Sequence, residues 1–241
     1  GHVLDHDGRL DRVAGAHPDG ERAVVAHEHG AGAVPAERLD DADHLVRESA
    51  LRIAGYFGYP ECFEPVLRCC HDRAETVRRV AIESLAFFDD PRVVPALVSA
   101  LAQQSSSVRA GAAAALARAE PAVAVDALTQ ALGDPDPWVR YVALRSLGSI
   151  GDQRVVPAVL DALRKDPAPH VRLAAIDVLG RLGRPEAWDV LEPLTRSADS
   201  DIGSAAVRAL GRLDRPEVLP ALETFLRAAE PWQRAAAVSA I

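Results

Sequence analysis

An apolar residue followed by arginine recurs along this chain at Val46-Arg47, Val77-Arg78, Val108-Arg109, Val139-Arg140 and Val171-Arg172. Ile202-Gly203 and Gln233-Arg234 continue the series in altered form. The steps between the first members are 31, 31, 31, 32, 31 and 31 residues. A fixed period of this length marks a linear stack of small units, each unable to bury its apolar face without its neighbours.

The most regular unit shows what is stacked. Val139, Val142, Ala143, Leu147 and Ile150 form an apolar stripe at helical spacing, and Val171, Ala174, Ala175, Val178, Leu179 and Leu182 repeat it one unit later. Gly151-Asp152 then ends the first helix, glycine supplying a left-handed residue and aspartate a cap for the second helix. That second helix buries Val156, Val159, Leu160 and Leu163, with counterparts at Val94, Leu97, Val98 and Leu101 and at Phe63, Val66, Leu67 and Cys70. Pro95, Pro157 and Pro220 sit early in the second helices, where a slight kink is expected. Asp134-Pro135-Asp136-Pro137 and Glu230-Pro231 stop one unit and start the next. About five core aliphatics at roughly 2 kcal/mol each do not fold one unit alone, whereas six stacked units can fold together.

Composition narrows the function classes. With 49% hydrophobic and 5% aromatic residues among 241, the core is built of Ala, Val and Leu. No apolar run reaches the roughly 18 residues of a membrane span and no signal peptide is evident, so the reading is a cytoplasmic protein without a membrane partner. A net charge of −8 argues against a surface that tracks phosphates, hence no nucleic-acid partner. Lys165 is the single lysine, which fits a GC-rich bacterial genome. Cys62, Cys69 and Cys70 form no disulfide framework and read as small buried thiols. The sequence has no methionine, begins Gly1-His2 and stops at Ile241 within a helical pattern, as expected of a piece of a longer protein.

Residues 1–32 depart from the period and are read as an irregular cap, either a hairpin about His17-Pro18-Asp19-Gly20 or a degenerate helix over Glu21 to His29. Ala33-Val34-Pro35-Ala36 echoes Val155-Val156-Pro157-Ala158, so a shortened second helix is expected before the first full repeat. His27-Glu28-His29 is half of a zinc site, but no spaced carboxylate or cysteine completes it. No metal and no cofactor is therefore assigned.

The residues Val139-Arg140, Ala143, Leu147-Gly148, Ile150-Gly151-Asp152 and Val155-Val156-Pro157-Ala158, with their counterparts, resemble HEAT-like repeats of the short type found in phycobilin lyase subunits. The resemblance spans about residues 33–241. It implies an all-α fold, a right-handed α–α superhelix of about six helix pairs, with first helices convex and second helices lining the concave side. Ala119-Glu120-Pro121, Gly183-Arg184-Pro185 and Asp214-Arg215-Pro216 replace the Gly-Asp corner, and Gly203 stands where arginine belongs. The family serves mainly as a protein-binding scaffold, so a non-enzymatic monomer that binds a protein or peptide is expected.

On that reading the partner surface is the ridge of non-core second-helix residues. It comprises Glu61, Glu64 and Arg68, then Arg92, then Asp126 and Gln130. Arg154 and Asp161, Glu186, Trp188 and Asp189, and Glu217 complete it. The arginine column Arg47, Arg78, Arg109, Arg140 and Arg172 is read as structural, each pairing with an acidic residue at the repeat junction. Trp138 and Trp232, each after a proline, are read as staples against the next turn. No Gly-rich phosphate loop or nucleophile constellation is present, so no catalytic residue is assigned. Two alternatives share the fold: a phycobilin-lyase-like accessory, and a HEAT-like DNA glycosylase, for which only Trp188-Asp189 in a basic groove could serve.

Overall fold

A computed structural model describes residues 33–241, so the expectations for the preceding cap, including its histidines, lie outside the described residues. Fourteen α-helices succeed one another among the described residues. A short α1 (Ala33–Arg38) is the shortened second helix expected before the first full repeat. The first helices of the repeats are α2 (His44–Phe57), α4 (Glu75–Leu85), α6 (Ser106–Leu116), α8 (Pro137–Ile150), α10 (Pro169–Leu182), α12 (Ser200–Leu210) and α14 (Pro231–Val238). The second helices are α3 (Phe63–Cys69), α5 (Val93–Ala100), α7 (Pro121–Ala131), α9 (Val156–Lys165), α11 (Trp188–Leu194) and α13 (Val218–Leu226). The all-α solenoid expected from the period is what the chain forms.

The corners obey the predicted chemistry. Gly151 adopts φ +74°, its amide closing on the Leu147 carbonyl, and Asp152 accepts from the Arg154 amide. Gly183 keeps the left-handed turn, at φ +65°, although Arg-Pro replaces aspartate after it. Asp43, Asp136 and Asp199 cap α2, α8 and α12 through their side chains. The prolines read as kink sites stand in the first turns of their helices. Pro157 is the second residue of α9, and Pro95 and Pro220 are the third of theirs, positions whose amides have no carbonyl to meet.

Two layers bury a common core. Val139, Ala143 and Leu147 of α8 are fully buried, as are Val171, Ala175 and Leu179 of α10. In the second helices Phe63, Val66 and Cys70, Leu97, and Val159 and Leu163 are buried as expected. Leu67, Val94, Leu101, Val156 and Leu160 are half-buried and Val98 is exposed, while Val93 and Val155, one residue earlier, are buried.

The first helices stack directly on one another, α2 on α4 through to α12 on α14. Small residues permit the approach. A Cβ on Gly55 would lie 2.8 Å from Ser84 Cβ, and one on Gly180 would lie 2.8 Å from Ala209 Cα. The hydroxyls of Ser84 and Ser146 donate across this contact to the carbonyls of Leu51 and Ala113. The second helices meet each other far less.

Candidate functional site

The arginine column is architectural. Arg47, Arg109 and Arg140 each grip one aspartate with Nε and Nη2: Asp72 at 2.8 and 2.9 Å, Asp134 at 2.7 and 2.8 Å, and Asp166 at 2.6 and 2.8 Å. Each Nη1 donates to two carbonyls of the preceding junction, for Arg140 those of Asp134 and Pro135. Arg78 and Arg172 keep only the carbonyl contacts, because Gln103 and Ser197 stand where the aspartate would be. Pairing at the junction thus holds for three of the five. The Arg140 hydrogen bonds hold the Asp166 carboxyl below its ordinary value, against the opposing effect of burial. At Asp72 and Asp134 burial pushes upward, but hydrogen bonds from Arg47 and Arg109 and from backbone amides outweigh it.

Gly203 has a visible reason. The Trp232 indole of the following repeat occupies the space an arginine side chain would need, and a Cβ on Gly203 would lie 2.7 Å from its Cζ3. Trp232 is therefore a packing residue. Trp138 packs on the next turn, stacked on Tyr141 with ring centroids 4.9 Å apart, yet it remains 56% exposed.

A concavity of about 740 Å³ lies on the first-helix face across α8, α10 and α12. Its lining carries Arg145, Arg181, Arg208 and Arg212 against Asp177 and Asp201, a formal balance of four positive to two negative, or +2, on a chain of −8. Asp177 organises three of these arginines, at 4.0 Å from Arg145, 2.8 Å from Arg181 and 2.9 Å from Arg212. Arg208 is exposed and forms no ion pair with a described residue. Tyr141 and His170, with ring centroids 5.9 Å apart, close one end of the cavity.

One exposed position of the period, in the last turn of a first helix or just after it, is occupied by Tyr56, Phe87, Arg118, Ser149, Arg181 and Arg212. Tyr56 and Phe87 are 60% and 48% exposed, and the Arg118 guanidinium lies 4.5 Å over the Phe87 ring. Exposed aromatics beside arginines are the composition of binding surfaces rather than of solvated helix faces.

None of the twelve ridge residues lines this cavity. Eleven are exposed and Trp188 is half-buried. Glu61, Glu64 and Arg68 lie on the 3-10 turn and helix before α4, and Arg92 begins α5. Asp126 and Gln130 lie on α7, Asp161 on α9, and Asp189 on α11. Arg154, Glu186 and Glu217 occupy the turns that enter the second helices. Three ridge charges have near partners: Arg92 pairs with Glu64 of the ridge at 2.7 Å, Asp161 with Lys165 at 2.6 Å and Arg154 with Asp152 at 2.8 Å. Arg215 pairs with Glu217 and lies 5.3 Å from the centre of the Trp188 ring, so that indole is covered. Trp188 and Asp189 therefore stand on the layer opposite the basic cavity. No group of three or more possible metal ligands occurs among the described residues.

The sequence reading named second-helix residues and did not single out Arg145, Asp177, Arg181, Arg208 and Arg212, which come together only when three first helices lie side by side.

A family profile for HEAT repeats matches residues 33–117, 94–172 and 156–241. No curated protein matches the sequence. Among solved structures, the chain is similar to the complex of CpcE and CpcF of phycocyanin lyase from Nostoc sp. PCC7120, at 22% identity and TM-score 0.55 over 87% of this chain and 86% of that one. An engineered protein is similar at 21% identity and TM-score 0.57, over 92% of this chain and 70% of the other. A chain of the AP-3 complex aligns at 12% identity and TM-score 0.68, over 91% of this chain and 46% of its own length. At these identities the likeness is one of fold.

Proposed function

The chain belongs to the HEAT-repeat family, and we propose that it is a non-enzymatic scaffold holding a protein or peptide partner against the first-helix groove. The observation that carries this reading is the row of exposed aromatics and arginines at one position of the period along the first-helix layer, from Tyr56 to Arg212. Aromatic and arginine side chains supply most of the binding energy at protein interfaces. The second-helix ridge is the rival surface and the poorer one in composition, since its one aromatic, Trp188, is half-buried beneath Arg215.

Affinity capture with three forms of the protein tests the choice. Partners retained by the native chain are expected to be lost on Arg208→Glu with Phe87→Ser. They should be retained on Asp126→Lys with Asp161→Lys. Loss only in the ridge form would transfer the function to the second helices.

The likeness to the CpcE and CpcF complex supports a second reading, an accessory in chromophore attachment. Bilin transfer to an acceptor protein, read by the acceptor's fluorescence, decides that. The glycosylase reading has less support, since Trp188 and Asp189 lie on the layer opposite the basic cavity.

A further inference from the structure

We infer that the cavity on α8, α10 and α12 seats the carboxylates of an extended acidic peptide segment; this rests on the groove being the partner surface. Its arginines are of two kinds. Arg181 and Arg212 are held by Asp177, at 2.8 and 2.9 Å, which fixes their direction. Arg208 has no ion-pair partner among the described residues, and Arg145 has Asp177 only at 4.0 Å. Guanidinium groups so placed retain donors for an incoming oxyanion, and Asp177 keeps the cluster from springing apart when the cavity is empty.

The protein's overall charge of −8 makes this basic cavity a local exception, so charge complementarity selects an acidic occupant against the background field. The carboxylates Asp177 and Asp201 inside the cavity decide between acidic occupants. A nucleic acid presents phosphates at fixed, close spacing and would meet both. A peptide can place its own carboxylates opposite the arginines and an uncharged residue opposite each aspartate. Leu173 on the cavity wall and the Tyr141–Trp138 stack at its end offer apolar contact to the intervening side chains.

Fluorescence anisotropy with three labelled probes tests this. The first is a peptide of five glutamates, one leucine and five glutamates, the second the same peptide with glutamine for glutamate, and the third a ten-nucleotide oligothymidylate. The acidic peptide is expected to bind at least tenfold more tightly than the glutamine peptide and than the oligonucleotide. That affinity should weaken as salt rises. Arg208→Glu should reduce it at least tenfold with an unchanged thermal midpoint, since Arg208 makes no ion pair whose loss would unsettle the fold. Arg154→Glu on the opposite face should leave it unchanged. No preference for the acidic peptide, indifference to Arg208→Glu, or tighter binding of the oligonucleotide would each overturn the inference. If captured partners depend on the groove but the acidic peptide does not bind, only this inference fails. If the groove variants lose nothing in either assay, the scaffold reading fails with it.

Discussion

Arg140 closes a bidentate ion pair on Asp166 across a repeat boundary, with Nε to Oδ2 at 2.6 Å and Nη2 to Oδ1 at 2.8 Å. The same aspartate accepts from the Ala168 amide, and its carbonyl accepts from Arg172. One residue thus ties two first helices and the junction between them. Asp134 plays the same part between Arg109 and Arg140.

Because the pair is buried, removing one partner leaves the other without compensation. Asp166→Ala is expected to cost about 3–5 kcal/mol, read from urea denaturation. Arg172→Ala, which removes a carbonyl contact and no ion pair, is expected to cost about 1 kcal/mol. Equal losses would mean that the carbonyl contacts, not the carboxylates, set the junction.

The same pairs dictate the acid limb of stability. Asp72, Asp134 and Asp166 all titrate below their ordinary value in the folded chain. A depressed carboxyl contributes stability that is fully present above the unfolded value, about 3.9, and is lost as pH falls through the folded one. The urea midpoint should therefore be flat in these groups from pH 7 to about 5 and fall below about pH 4. Asp166→Asn should make that fall shallower. A midpoint that dropped between pH 7 and 6 would point to other groups.

Two helix-interior glycines should respond to alanine with opposite signs. A Cβ on Gly180 would come within 2.8 Å of Ala209 Cα and 2.9 Å of its Cβ, so α10 and α12 would have to part. Gly180→Ala is expected to destabilise by about 1–3 kcal/mol. At Gly111 the nearest atoms are the Arg79 and Glu83 side chains at 3.5 Å, ordinary contact. Gly111→Ala should stabilise by about 0.5–1 kcal/mol through helix propensity. Thermal melting of both variants is the measurement.

The three thiols should be silent in the folded protein. Burial, helped by nearby carboxylates, pushes Cys62 and Cys69 up to about 11, and burial with the neighbouring Cys69 pushes Cys70 up to about 12. The thiolate is the reactive form, so a disulfide reagent at pH 8 should label none of them until denaturant is added. Labelling of one thiol before global unfolding would show that α3 opens on its own.

The repeat boundaries were legible because they rest on local rules that a period displays repeatedly. Gly151-Asp152 marked the corner, and Val139, Ala143 and Leu147 marked the buried stripe. What was not legible is how closely the helices of successive repeats approach. Gly180 lets α10 meet Ala209, a contact 29 residues away in sequence. Arg145, Asp177 and Arg208, each inconspicuous in its own repeat, become a cluster only once three helices are laid side by side.

Trp138 separates what folds this chain from what it is proposed to bind. Its ring is 56% exposed and rests on Tyr141, whereas Leu147, nine residues along the same helix, is fully buried. Truncating the leucine to alanine should cost about 2–5 kcal/mol, by loss of transfer energy and creation of a cavity. Truncating Trp138 to alanine forfeits one aromatic pair, about 0.5–1.5 kcal/mol, and no core contact. If the groove is the partner surface, the same change should weaken binding of a captured partner by about 2 kcal/mol, some thirtyfold. Urea denaturation and a partner titration on the two variants therefore give opposite rankings. Should Trp138→Ala prove as destabilising as Leu147→Ala while leaving partner affinity intact, the indole belongs to the fold and the aromatic end of the groove has no binding role.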